Sequence, residues 1–400
     1  MSADLLERLR LRLAADGVLL AEPAGGGSSL VAERGLADRP GAPAGVLPEL
    51  LLDEAAFTEL SGQLRAELLG AGPLEPVLAE PGVTDVLVNA ADQVYLDRGA
   101  GLERTPVCFE SDAAVRRLAA RLAGQAGRRL DDAMPFVDAV LPDGTRLHAI
   151  LPPLAAHPTI SLRVLGRRRL DLAELVRLGA LSEPVAELLG ALVRARFSLL
   201  ISGGTGAGKT SLLAALLGQA DPGDRILTIE DAAELAICHP HVVSLVTRSA
   251  NLERAGEVGL AELVRQALRM RADRLVVGEF RGPEIVELLA ALNTGHCGGA
   301  ATVHANSVRD VPARLIALAA LGGMPAETLL AQAASGLDLL IHVGRNRAGQ
   351  RQVQQLAPWQ RQSGAPPQTA WSAADGVGPG AGELRERLAD AGLGCPELLR

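Results

Sequence analysis

The chain's single lysine, Lys209, lies in the run Gly203-Gly204-Thr205-Gly206-Ala207-Gly208-Lys209-Thr210, and every other basic residue is arginine. The run has the spacing G-x-x-x-x-G-K-[ST], the pattern of a phosphate-binding loop. Its glycines would let a backbone approach a polyphosphate closely, and the amides from Gly204 to Lys209 would form a nest at the start of a helix over 210–217. An ammonium is a compact point charge that fits between β- and γ-phosphates, whereas a planar guanidinium fork needs more room. Thr210 is placed to ligate Mg²⁺, and Ser211 follows it on the first helical turn. These residues predict binding of a nucleoside triphosphate with Mg²⁺.

Further acids and a histidine are spaced to serve such a ligand. The apolar run Arg274-Leu275-Val276-Val277-Gly278 ends on Glu279, the form of a Walker B element whose carboxylate lies beside the metal and its water. On its own this signal is weak, because many sheets contain an apolar strand followed by a surface acid; the phosphate loop gives it weight. A second apolar run ends in Glu230-Asp231-Ala232-Ala233-Glu234. Any of these three carboxylates could orient and deprotonate an attacking water, and each could equally be part of a solvated acidic turn. Two of the seven histidines, His296 and His304, fall in a Gly-rich stretch over 294–306. A strand ending at His304 would bring an imidazole to where a γ-phosphate lies, able to report its loss; a hydrogen-bonded structural histidine is the alternative. Zinc is a poor fit, since Cys297 is the one thiol at metal spacing.

The elements that must position these groups follow from apolar periodicity. From 197 onward, strand-like runs over 198–202, 225–230, 242–247, 274–279, 300–304 and 339–343 alternate with helical patterns. This predicts an α/β domain with a mainly parallel sheet and ligands at the carboxyl ends of its strands. Upstream, short strands over 83–88, 93–96, 144–151 and 159–164 and a helix over 112–124 predict a smaller α+β module. Helices are expected over 1–16 and 53–69, with a Gly/Pro/Ala-rich linker over 22–48 between them. A charged connector over 166–182 reads as a hinge leading into a helix over 184–194. The expected organisation is therefore an N-terminal helix, linker and second helix over 1–65, an α+β domain over 66–168, a nucleotide-binding domain over 169–345, and a partly disordered tail over 346–400. That tail carries a strand-like run over 352–356 and a helix-like one over 383–391.

Composition narrows the partners. With 48% hydrophobic residues in 400, the chain can bury two or three cores. Aromatic residues make up 2%, so stacking platforms for unpaired bases are scarce. A net charge of −8 disfavours a bulk nucleic-acid partner. Cys108, Cys238, Cys297 and Cys395 form no C-x-x-C pair and suggest a reducing, cytoplasmic setting. No run approaches the roughly 18 apolar residues of a membrane span, so any membrane association is expected through partners or at the surface.

Together, residues 203–210, 228–235, 268–284 and 294–306 resemble the Walker A, Asp box, Walker B and His box of the secretion ATPases of type II and type IV systems. The likeness runs over roughly 66–345. It is nearest to the CpaF/TadA-like ATPases of tight-adherence (Tad) pili, whose N-terminal domain is echoed by residues 72–76, 84–89 and 141–146. The resemblance implies a homohexamer of two-domain subunits, a PAS-like N-terminal domain and a RecA-like C-terminal one, with ATP and Mg²⁺ between them. The ring would act at the inner face of the cell membrane with the platform proteins of a pilus or secretion system. By motif position, Lys209 and Thr210 hold phosphate and Mg²⁺, Glu279 is the Walker B acid, Glu234 is the foremost water-activating residue with Glu230 next, and His304 senses the γ-phosphate. Arg271 and Arg281 match arginines near the nucleotide, and Arg128, Arg146 and Arg163 are further phosphate contacts or ordinary surface arginines. The chain departs from the family at Cys297-Gly298-Gly299, where an acid followed by Gly-Ser is usual. A nucleic-acid-translocating ATPase of the conjugation type and a nucleotide-binding regulator without turnover are the rival readings.

Overall fold

A computed structural model describes residues 70–99, 101–164, 170–248, 256–361 and 365–400. The helices expected over 1–16 and 53–69, the linker between them, and residues 166–169 of the expected hinge lie outside the described residues. The described residues fall into two compact units, one within 70–122 with 151–160 and the other within 123–150 with 161–400.

In the smaller unit, a short helical turn α1 (Glu75–Leu78) precedes strands β1 (Asp85–Ala90), β2 (Gln93–Asp97) and β3 (Leu102–Arg104). β1 pairs antiparallel with β2, and β2 with β3. β1 alternates inward Val86 and Val88 with more exposed neighbours, the period of a half-buried strand. Helix α2 (Asp112–Gln125) buries Val115, Leu118, Ala119 and Leu122, positions three and four apart that share one helical face.

The larger unit contains the antiparallel hairpin of β4 (Phe136–Val140) and β5 (Arg146–Ile150). Sequence periodicity misses β4, because its inward positions are only Val137 and Ala139 while Phe136 is exposed. After β6 (Thr159–Arg163) come helices α3 (Leu172–Arg177) and α4 (Glu183–Arg194). Then the doubly covered sheet begins. Its strands are β7 (Leu199–Gly203), β8 (Ile226–Glu230), β9 (Val242–Val246), β10 (Arg274–Phe280), β11 (Ala300–Val303), β12 (Leu339–Arg345), β13 (Arg351–Pro358), β14 (Trp371–Ser372) and β15 (Gly376–Val377). Interleaved are helices α5 (Lys209–Leu217), α6 (Leu260–Ala267), α7 (Glu284–Leu292), α8 (Val311–Leu321), α9 (Ala326–Gly336) and α10 (Ala381–Asp390). The strand order is β15-β14-β13-β12-β7-β11-β10-β8-β9. From β12 to β9 every pairing is parallel, as expected for strands joined through helices.

Alternate residues of these strands feed two cores. Leu199, Ile201, Val276, Leu339 and Ile341 face α3, α4, α5 and α10, while Leu200, Leu275, Val277 and Leu340 face α6 to α9. A Leu or Val fully buried this way contributes roughly 1.5–3 kcal/mol, so the central strands are the most firmly held part of the unit. Helix α5 buries every residue from Leu212 to Leu217, which fixes the phosphate-loop helix on all sides.

Residues expected to form a tail add antiparallel strands to this sheet. β13 pairs with β12 over its full length, β14 with β13, and β15 with β14. Helix α10 is anchored by Arg387, which is 3% exposed and donates to Asp338 Oδ1 at 3.1 Å, to Glu383 Oε1 at 3.1 Å, and to the Trp359 carbonyl. Asp338 Oδ2 in turn accepts from the Ser198 amide at 2.8 Å, beside the start of β7.

Candidate active site

Four neighbouring parallel strands, β7, β11, β10 and β8, end at one edge of the sheet, and each delivers a group with chemistry. β7 runs into the glycine loop, β11 ends one residue before His304, β10 carries Glu279 near its end, and β8 ends on Glu230. In the loop, Gly206 and Gly208 take φ of +67° and +96°, a left-handed backbone that a side chain would strain. Gly208 caps α5, so the amides of the first turn point outward from the helix start. Gly203 is required for a different reason: a Cβ there would collide with the Val343 carbonyl on β12.

Lys209 is nearly buried, and its Nζ donates to the carbonyls of Gly203 at 3.2 Å and Gly204 at 3.1 Å. The same ammonium lies 3.3 Å from His304 Nδ1 and 3.6 Å from Glu279 Oε1. Burial pushes the lysine pKa down by more than Glu279 raises it. On Glu279, burial works upward but is outweighed by the hydrogen bond from Arg281 and by the charges of His304, Lys209 and Arg281, so its carboxyl titrates below the usual range. Arg281 Nε donates to Glu279 Oε2 at 2.8 Å, and its Nη1 lies 3.5 Å from Asp231. His304 Nε2 is 2.8 Å from Glu279 Oε1. Burial first, and then the nearby Lys209 charge, lower the His304 pKa. With a carboxylate oxygen at Nε2 and an ammonium at Nδ1, both contacts are satisfied by the tautomer in which Nε2–H donates to Glu279 and Nδ1 accepts from Lys209. Lys209, Glu279, His304 and Arg281 thus form one connected cluster at the mouth of the loop.

The candidate water-activating acids differ sharply in setting. Glu230 is buried, and its Oε1 accepts from the amides of Glu234 at 3.0 Å and Leu235 at 2.9 Å, closing the turn after β8. Its Oε2 has no partner, and burial pushes the carboxyl up to about 7. Glu234 is partly exposed, and its Oε1 lies 3.3 Å from Arg146 Nη2. Arg146 and Arg128 line a cleft of about 520 Å³ together with Arg248, Arg281, Asp138 and Asp231. Four guanidiniums against two aspartates make this wall cationic, suited to an anion. Arg163 ends β6 and does not line the cleft.

Other expected residues are placed apart. Arg271 sits in the turn before β10, with φ +56°, at the amino ends of strands whose carboxyl ends carry the cluster. His296 lies after α7 with its Nδ1 buried and without a partner, so it is His304 that joins Lys209. Thr205 is exposed on the loop, Ala207 is buried beneath it, and Thr210 and Ser211 occupy the first turn of α5.

Sequence reasoning overlooked His342. It is buried on β12 with Nδ1 3.0 Å from Ser202 Oγ, next to the loop, and its only signal is a polar residue inside an apolar strand. It also overlooked Thr302, whose hydroxyl donates to the Gly278 carbonyl at 2.6 Å and ties β11 to β10 beside Glu279.

The loop fits a polyphosphate: left-handed glycines, free first-turn amides and a buried ammonium converge on one spot. Among the described residues no group of three or more His, Cys, Asp or Glu could hold a metal by itself. A magnesium ion here would draw on phosphate oxygens and water as well as Thr210 and Glu279.

Comparison with known proteins agrees with this geometry. A model of the type II/IV secretion system protein family matches residues 67–370. The putative conjugal transfer protein Rv3659c of Mycobacterium tuberculosis (strain ATCC 25618 / H37Rv) is 53% identical over 333 residues, covering 81% of this chain and 95% of that protein. The probable conjugal transfer protein TrbB of Sinorhizobium fredii (strain NBRC 101917 / NGR234) is 31% identical over 280 residues, 68% of this chain and 82% of its own length. In fold, the chain is similar to the X-ray structure of the Yersinia pseudotuberculosis ATPase DotB, with a TM-score of 0.52 at 15% identity over 87% of this chain and 93% of that one. With a family match over most of its length, the chain belongs to the type II/IV secretion system ATPase family.

Proposed function

We propose that the protein is a cytoplasmic homohexameric motor that hydrolyses ATP to power assembly of a Tad or type IV-like pilus, or secretion, across the inner membrane. The observation that carries the reading is the set of contacts around Lys209 Nζ. A single buried ammonium is held at the end of a glycine loop by backbone carbonyls, with Glu279 and His304 beside it. Phosphoryl transfer asks a protein mainly for positioning and charge stabilisation, and each member of this cluster has such a task. Lys209 and the first-turn amides of α5 bind the phosphates. Thr210, and Glu279 through water, would hold Mg²⁺, which when bound neutralises charge on the β- and γ-phosphates. Glu234 takes the proton from the attacking water, with Arg146 orienting its carboxylate. His304, bridging Lys209 and Glu279, registers whether the γ-phosphate is present. Arg281 and the arginines of the cleft stabilise charge around the transferred group, and a PAS-like N-terminal domain would move against the RecA-like one as nucleotide turns over.

Steady-state phosphate release by wild type and Lys209→Ala tests the reading. The variant is expected to lose on the order of a hundredfold or more in turnover, because its one lysine is gone. Turnover within a few-fold of wild type would overturn the assignment of the loop. The conjugal transfer names of the M. tuberculosis and S. fredii relatives favour a second reading, a motor serving DNA transfer. In the first reading single-stranded DNA leaves the ATPase rate unchanged; several-fold stimulation that fades with salt would move the assignment to the second.

A further inference from the structure

We propose that Arg351, at the start of β13, is a nucleotide-phosphate ligand delivered to the loop by the β12–β13 hairpin. The inference rests on the ATP-binding reading above and adds a residue outside the loop, acid and histidine motifs. Its basis is the juxtaposition of two residues more than a hundred positions apart. The Arg351 side chain crosses Gly208, with Cδ 3.5 Å from where a Cβ on that glycine would stand. Gly208 is the N-cap of α5, so the guanidinium beyond Cδ lies at the same helix end that carries Lys209 and the first-turn amides.

Three features make this placement an anion site. First, the hairpin is fixed. β12 pairs with β7 through Val343 and Gly203, and the Val343 carbonyl presses on Gly203 where a Cβ would stand. Arg351 opposes Arg345 in the hairpin register, so its position is set by two strands and not by a loop. Second, charge is available. Arg146 and Arg281, the other arginines near the acids, already hold Glu234 and Glu279, and Arg345 donates to the Gly349 carbonyl at 2.8 Å. Arg351 is exposed, and no carboxylate among the described residues pairs with it. Third, the chemistry is matched: a planar guanidinium donates two parallel hydrogen bonds to phosphate oxygens, while the ammonium of Lys209 acts as a point charge deeper in the site. A hydrogen bond between charged partners of this kind corresponds to about tenfold or more in affinity.

The test measures binding of ATP, ADP and inorganic pyrophosphate, with Mg²⁺, to full-length wild type, Arg351→Ala, Arg351→Lys, Arg347→Ala and Lys209→Ala. Arg347 is exposed on the same hairpin and controls for charge alone. Arg351→Ala should weaken all three ligands about tenfold, Arg351→Lys should recover part of the loss, and Arg347→Ala should match wild type. In turnover, Arg351→Ala should raise KM for ATP with kcat changed less than about twofold, the pattern of lost uniform binding. The proposal is overturned if Arg351→Ala binds all three ligands as wild type does. Loss of ATP and ADP binding with pyrophosphate unaffected also overturns it, since the guanidinium would then be reading base or ribose. If Arg351→Ala is silent while Lys209→Ala abolishes binding, only this inference falls. If neither variant changes binding, the loop reading falls with it.

Discussion

Replacing Glu230 by Gln should alter how stability depends on pH more than it alters stability in acid. Burial holds the Glu230 carboxyl at about 7 in the folded chain against an ordinary value of 4.5, and the amides of Leu235 and Glu234 offset that only in part. Between those two pH values the folded form carries a proton that the unfolded chain has released. The protonated acid's contribution to stability is therefore complete below pH 4.5 and is lost as pH rises through 7. A gap of about two and a half pH units at roughly 1.4 kcal/mol each makes that loss about 3.5 kcal/mol in full. Glu230 is only 4% exposed, so solvent screening takes little from this figure. Gln keeps a carbonyl for the two amides and does not titrate. Parallel urea unfolding of wild type and Glu230→Gln from pH 5 to 8.5 cancels the other titrating groups in the difference. Wild type should lose about 2–3 kcal/mol relative to the variant across that range, mostly between pH 5 and 7. Two curves that stay parallel would show that the carboxyl is not held protonated, and the argument from its burial would fail.

Glu279→Gln and Glu234→Gln should each bind ATP and turn it over at least tenfold more slowly, because an acid is lost while the loop stays intact. Measured binding and single-turnover rates separate the two effects. If Glu234→Gln keeps normal turnover while Glu230→Gln is dead, the base is Glu230. Light scattering with a nonhydrolysable ATP analogue should give a mass near six times 41.5 kDa, with specific activity falling on dilution. A monomer with full activity at every concentration would remove the ring.

The sheet was legible because its signals are local. Leu199 to Ser202, Ile226 to Ile229 and Leu275 to Val277 are mostly apolar and buried on both faces, and the glycine loop follows one of them, so the α/β class and the lysine's place follow from periodicity and one motif. What escaped depends on directions that a one-dimensional pattern does not carry. The three acids at and after the end of β8 look alike in sequence, yet Glu230 turns inward to cap a turn and Glu234 turns outward to Arg146. Arg271 is three residues from the start of β10 and Glu279 is near its end, so strand polarity separates them across the sheet. Gly378 and Gly380 gave the C-terminal residues the composition of a loose tail, but those glycines are where the backbone passes against the carbonyls of Thr369 and Gln368. Close packing, and not flexibility, accounts for them.

The antiparallel strands β13, β14 and β15 also decide what the sheet offers to other chains. Six parallel strands would otherwise end at β12, a buried apolar strand of seven residues whose free edge would be a template for uncontrolled pairing. With the C-terminal residues in place, the last strand on that side is the two-residue β15, too short to recruit a partner strand. The same residues that look dispensable by composition therefore act as the sheet's terminator. Trimming the protein at 346 to obtain a minimal nucleotide-binding domain would remove β13 and Arg387 together. The resulting fragment would be expected in aggregates, however well its phosphate loop was preserved.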